Sequence, residues 1–373
     1  MKKFLGFLAI FAVVLIAFYL EPVFFPPDLA SPTDEAVDTL PYNQSLSYET
    51  IPTEGFAIYL NQGISRLNEE FGAPIAAQDT GFGYSIATYE DPVRNIFIEA
   101  NIKNDTVMAI KVAGDSSDRI APFHFGMDLT DLTSVTTLFS NFDFDYNEQP
   151  VSVELSEEDM NYRPLVAFDN DTFAILFFGQ QNGQLYGMAY LNQEMLLQIM
   201  PYQWNSEPLT GYQTAELADE QWAAIDTANS ARGISLVNYL RNLEKLSSYQ
   251  TDGLLYEQTS QLAAQLKLQP ETLLEDAALR EWQELQPGVP YLQQQLLNQS
   301  DFLETSITSE QWLLAAKPVP DVTFSILNWY SDPYLHNHFI GEDESLAIAF
   351  NQEDMVVLLQ QQIETKVSDS SDY

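Results

Sequence analysis

His336 and His338 sit two residues apart in SDPYLHNHFIG (331–341), beside Ser331, Asp332 and Tyr334, and are two of the three histidines in a chain of 373 residues. Imidazole changes charge near neutral pH and is the commonest metal-ligating side chain, so this stretch is the first place to look for acid–base or metal chemistry. Residues two apart share a face on a strand but diverge on a helix, so the pair could meet on one ion only if the segment is extended. Such a site would need further ligands. The chain has no cysteine, and the third histidine, His124 in APFHFG, lies among aromatics and reads as packed or surface-bound. Asp332 and Glu342 are the nearby acids, and nothing in the sequence fixes them. The expectation is a pair of ordinary polar histidines with no metal.

Other chemistries leave no trace. The chain contains no G-x-S-x-G, P-loop, G-x-G-x-x-G or H-E-x-x-H pattern. Without cysteine there is no thiol nucleophile, thiolate zinc site or disulfide framework. Asp and Glu number 54 against 15 Lys and Arg, a formal charge of -39, so no single pair of carboxylates points to glycosidic cleavage. A surface so acidic repels nucleic acid and anionic lipid headgroups, which excludes the first and disfavours the second as partners. DFDYNEQPVSVE places Asp143, Asp145, Asn147 and Glu154 at calcium-loop spacing. Glu148, however, replaces the glycine needed for the sharp turn, and Pro150 is a further misfit. An acidic turn between strands is the better reading.

The elements that would position these residues fall into blocks. Lys2 and Lys3 precede an uncharged run, Phe4–Leu20, with no small-residue cleavage site behind it. Residues 1–27 are therefore expected to form an uncleaved single-pass anchor, with everything after it extracytoplasmic. Residues 28–54, rich in Pro, Ser, Thr and acids, read as an extended tether, and 363–373 as a polar tail. GISRLNEEFGAP reads as a short helix stopped by Gly72 and Pro74. Strand-like runs follow at 83–89, 95–102 and 106–114, with a hairpin turn at Lys103–Asp105. A helical segment at FGMDLTDLTSVTTLF and runs at 164–169, 172–179 and 184–191, with Asn182-Gly183 as a turn, repeat the order. This suggests two related α+β halves within 55–204.

From Trp222 the period becomes helical. Ile234, Val237, Leu240, Leu243 and Leu246 form one apolar face, and Leu255, Leu262 and Leu266 another. PETLLEDAALREWQEL reads as a helix entered through Pro270. Thr308 and Gln311 fit a capping box opening a helix at SEQWLLAA, and SLAIAF and DMVVLL read as paired strands. The boundary is expected between Pro201 and Ala224, with segments 50–204 and 222–365 each folding alone.

GISRLNEEFGAPIAAQDTGFGYSIATY and FHFGMDLTDL resemble the CAP-associated N-terminal domain over about 55–200, a family that implies an architecture and no reaction. Residues 222–362 resemble a CAP (SCP-like) domain. Asn238 and Arg241 in VNYLRNLEKL stand three apart as in that family's first helix. LLYEQTSQLAAQLK, LNWYSDPYLHNHFI and SLAIAFNQEDMVVLL echo later segments in the right order. The fold expected is thus an α+β helix-plus-meander domain and then a CAP-like α/β/α sandwich, behind one transmembrane helix. In the CAP family two histidines and two acids line a cleft able to hold a divalent metal. The resemblance puts Lys267 at the first histidine and Tyr334 at the second, and a protonated lysine has no lone pair to offer. Lys267, Ser331, Tyr334, His336 and His338 are accordingly expected to mark a vestigial cleft without catalysis, metal or cofactor. The function expected is binding or scaffolding at the bacterial cell envelope, with an envelope protein or wall component as partner. The alternatives are an envelope hydrolase using His336, His338 and nearby acids, and capture of a small apolar, lipid-like ligand.

Overall fold

The turns of the first half are set by residues that accept a positive φ. Helix α1 (Ile64–Phe71) ends on Gly72 at φ 81, two residues before Pro74. Strands β2 (Ala76–Asp79), β3 (Ser85–Asp91), β4 (Ile96–Lys103) and β5 (Thr106–Gly114) follow as an antiparallel meander. The β4–β5 turn is Asn104-Asp105, at φ 50 and 59, the mirror-image turn that matches strand twist. In this computed structural model the described residues are 48–91, 93–115, 119–199, 201–204, 214–284, 294–303, 308, 310–341 and 344–361. The expected anchor, the tether up to 47 and the tail lie outside them. No helix among the described residues is long and apolar enough to cross a membrane.

Helix α2 (Leu129–Val135) opens with a capping box of Asp128 and Asp131. The calcium-like stretch is a hairpin, β6 (Asn141–Tyr146) and β7 (Gln149–Glu154), turning through Asn147-Glu148 at φ 51 and 64. After α3 (Glu157–Tyr162) come β8 (Leu165–Phe168), β9 (Thr172–Phe178), β10 (Leu185–Asn192), α4 (Gln193–Ile199) and β11 (Gln203–Trp204). With β1 (Thr50–Ile51), the main sheet runs β1-β8-β9-β10-β5-β4-β3-β2, and β11-β7-β6 form a smaller one. The two meanders meet where β10 pairs antiparallel with β5, Met188 opposite Val112. The repeated helix-and-meander order thus builds a single sheet. Asn182-Gly183 lies in a longer connection than a two-residue turn, closed by the Gly179 N–H on the Gln184 carbonyl at 2.8 Å.

The second half is an α/β/α sandwich. Its sheet is β12 (Gln295–Asn298), β13 (Gln311–Lys317), β15 (Asp354–Gln361) and β14 (Glu344–Asn351), in that order and antiparallel. The helices are α5 (Asp219–Leu243), α6 (Gly253–Leu268), α7 (Asp276–Glu284), α8 (Val322–Tyr330) and α9 (Pro333–Phe339). Leu314, Ala316, Ile348 and Val357 face the core shared with α5 and α8, while Leu313, Ala315, Ala347 and Val356 face the core of α6 and α7. This corrects the helix expected at SEQWLLAA. A continuous apolar run fits a strand buried on both faces as well as a helix, and the capping contact (Thr308 N–H on Gln311 Oε1, 3.1 Å) forms without one. Helix α7 likewise begins at Asp276, Pro270–Thr272 forming a single tighter turn before it.

One core runs through both halves. It joins Ala109, Phe142, Phe173 and Leu197 to Leu236, Val237, Leu240, Phe324 and Ile348. Tyr84 and Tyr186 donate to the carbonyls of Pro320 (2.8 Å) and Leu327 (2.5 Å) across the seam. At its centre lies a buried charge network. Lys111 Nζ stands 2.8 Å from Glu99 and 2.5 Å from Asp321, Arg232 Nε is 3.1 Å from Glu99, and Asn101 donates to Asp321 at 2.8 Å. Asp321 also caps α8 through the Phe324 N–H. Burial pushes its carboxyl up, but Lys111, Asn101 and that N–H outweigh burial and hold it below the usual carboxylate range. The two segments therefore share one core.

Candidate functional site

The signature pair of α5 is spent on structure. Arg241, 2% exposed, donates from Nε to the Ser247 carbonyl and from a terminal nitrogen to the Phe339 carbonyl, both at 2.8 Å. Its guanidinium lies 3.8 Å over the Tyr249 ring. Asn238 Oδ1 accepts from the Tyr249 N–H at 2.8 Å. Together they tie the end of α5 to the loop before α6 and to the end of α9.

The five candidates of the vestigial cleft fall in three places. Lys267, near the end of α6, pairs with Glu353 at 3.5 Å and Asp354 at 3.8 Å, at the turn joining β14 and β15. Asp226 of α5 accepts the Gln352 N–H there at 3.0 Å. Burial raises the carboxyls of Asp226 and Asp354 to about 6, against the pull of Lys267.

Ser331 and His336 lie in the second place. Ser331 is buried at the end of α8, where its hydroxyl donates to the Asn328 carbonyl at 2.7 Å and its own carbonyl accepts from Gln180. His336, 1% exposed, presents Nδ1 to the Tyr330 carbonyl at 2.9 Å, and a carbonyl only accepts, so Nδ1 carries the proton in this contact. Its Nε2 stands 3.8 Å from Glu244 at the C-terminal end of α5.

The third place holds His338 and Tyr334. The His338 ring stacks on the Trp312 indole at 4.2 Å and 14°, and burial lowers its pKa, so the imidazole is neutral at neutral pH. Tyr334, 59% exposed, meets the His338 ring edge-on at 5.2 Å.

Helix α9 thus sends the two histidines to different neighbours. Trp312 pairs with Leu359 on β15, five residues along from Asp354. At strand rise that places Leu359 roughly 17 Å along β15 from Asp354, the partner of Lys267. No group of three or more His, Asp or Glu side chains is placed to hold a metal among the described residues. Glu244, Asp226, Glu353, Asp354 and Trp312 were not singled out by sequence reasoning. They come from distant segments of an acid-rich chain, so no local spacing could have marked them. A groove of about 570 Å³ also opens between α5 and α6, beside Ala231, Ile234, Tyr256 and Leu346.

Residues 60–202 match the family described as CAP-associated N-terminal. The whole described architecture has the fold of SCP-domain proteins. A cysteine-rich secretory protein from Staphylococcus aureus subsp. aureus Mu50 superposes with a TM-score of 0.65 at 17% identity, over 84% of this chain and 95% of its own. An extracellular protein containing an SCP domain from Bacillus anthracis str. Ames gives 0.63 at 16% identity, over 86% and 99%. In sequence the chain is 20% identical over 204 residues to an uncharacterised membrane protein, YlbC, of Bacillus subtilis (strain 168). That match covers 54% of this chain and 57% of the relative's length.

Proposed function

We propose that the chain is a membrane-anchored, extracytoplasmic protein of the bacterial cell envelope that works by binding and scaffolding, with a CAP-like region that does no catalysis. The observation carrying this reading is the ion pairing of Lys267 with Glu353 and Asp354. The residue standing where the resemblance expects a ligating histidine is a cation with its own acidic partners. The location draws support from a relative named as a membrane protein and a structural neighbour described as extracellular. In this proposal the run behind Lys2 and Lys3 is the single-pass anchor. The partner is an envelope protein or wall component, and no cofactor takes part. The hydrolase reading is weaker, because α9 gives His336 and His338 separate surroundings.

The test incubates the full chain, purified in detergent, with protein-stripped walls and with envelope membranes. Saturable retention without release of soluble wall fragments or cleaved protein is expected. Fragment release that disappears in His338→Ala would count against the proposal. The groove between α5 and α6 favours a second reading, capture of a small apolar ligand. Filling it with Ile234→Trp should abolish uptake of an apolar fluorescent probe if that reading holds.

A further inference from the structure

His338 is left over by the function just proposed, and it borders a cavity of a definite kind. It measures about 210 Å³ and is lined by Gln299, Glu310, Trp312, His338 and Gln361 over a floor of Gln311 and Leu359. Gln311 is fixed: it exchanges hydrogen bonds with Gln258 at 3.1 and 2.9 Å and donates to Gln360 at 2.8 Å. The rim is held too, since the Gln361 N–H donates to the Glu310 carbonyl at 3.1 Å. Trp312, His338 and Tyr334 form a ladder of rings, stacked and then edge-on, that ends in the exposed phenol.

The lining selects its ligand by charge and shape. Among the described residues it contains one carboxylate and no Lys or Arg, so a phosphate, sulfate or carboxylate would find no cation there. With a chain charge of -39, anionic polymers are disfavoured twice. Planar amides and a neutral imidazole both donate and accept, which suits a group of hydroxyls carrying both functions on each oxygen. Aromatic faces beside such groups suit a ring with an apolar face and polar edges. We infer that this cavity, where the start of β13 meets the end of β15, binds a pyranose ring of an uncharged glycan, with Trp312 and His338 as its aromatic surfaces. The inference rests on the envelope-binding reading and names its ligand class.

The probes are uncharged tetrasaccharides, a β-1,4-linked N-acetylglucosamine tetramer and cellotetraose, titrated into the full chain in detergent by calorimetry. Saturable binding to at least one is expected. Gln299→Ala and Gln361→Ala, both at exposed lining positions, should each weaken it about tenfold with an unchanged melting temperature, while Trp312→Ala is read only if it still folds. No saturable binding by either sugar, or equal affinity in both variants, would overturn the inference. So would binding of a lysine-rich peptide that the same variants weaken and the sugars do not displace. Wall retention is measured on the same variants. If wild type and variants are retained alike, the envelope reading stands and the glycan site falls; if wild type is not retained, the envelope reading itself falls.

Discussion

Asp354 gives a direct measure of how burial and ion pairing compete beside Lys267. Its side chain lies inside the protein at the start of β15, and neither carboxylate oxygen has a hydrogen-bond donor among the described residues. Lys267 Nζ is 3.8 Å away, close enough to attract and too far to donate. Burial outweighs that attraction and raises the carboxyl from 3.8 to about 6. A proton held more tightly in the folded chain stabilises the fold fully below the unfolded pKa, near 4, and this stabilisation is lost as pH rises through about 6. A shift of about two units at 1.36 kcal/mol each sets the scale at about 3 kcal/mol. Asp354→Asn keeps the shape and removes the charge, and Lys267 retains Glu353 at 3.5 Å. At pH 8 the variant should be about 1–3 kcal/mol more stable, a few degrees in melting temperature. At pH 4 the gain should vanish. Asp226 also titrates near 6, so the variant keeps part of the wild-type slope. Thermal melts across this range decide it. A variant less stable than wild type at pH 8 would mean that the Lys267 ion pair outweighs desolvation, and the reasoning would fail.

The seam network makes a prediction of opposite sign: Lys111→Met leaves Glu99 and Asp321 buried with fewer positive partners and should cost about 3–5 kcal/mol in denaturant unfolding, whereas a loss under about 1 would contradict the buried geometry. Because the core is continuous, segments 48–204 and 214–361 produced separately should give no cooperative melt, while the joined chain does; two independent sharp melts would show self-sufficient units. His336→Ala should cost about 2–4 kcal/mol through the cavity and the orphaned Tyr330 carbonyl, and His338→Ala under about 1 kcal/mol. Equal losses in urea titrations would refute the different burial of the two rings.

The meanders were legible because their punctuation is local. Gly72 and Asn104-Asp105 take positive φ in the structure as their residue types suggest, and the alternating runs between them need no distant partner to become strands. WLLAA was not legible, because its secondary structure depends on what covers it. Leu313 meets the α6–α7 core and Leu314 the other, and only the assembled sandwich says so. The same limit applies to the site. The divergence of His336 and His338 follows from α9 being a helix, a matter the sequence left open. The partners of Lys267 come from a turn 86 residues away.

The boundary expected at 201–224 falls where the period changes, and the residues on either side of it pack together. Trp222 does open the helical half, yet it is 5% exposed because its ring lies against Phe82 at 5.7 Å. Gly81 sits beneath that indole at φ 76, and a Cβ there would come within 2.3 Å of the ring, so both the turn and the close approach require glycine. The Ala215 N–H donates to the Gly81 carbonyl at 2.7 Å and fastens the stretch just before α5 to the same turn. The residue that announces a second unit in the sequence is thus one that locks it to the first. A surface presented by α9 or by the C-terminal sheet is therefore carried on a body that includes the N-terminal sheet.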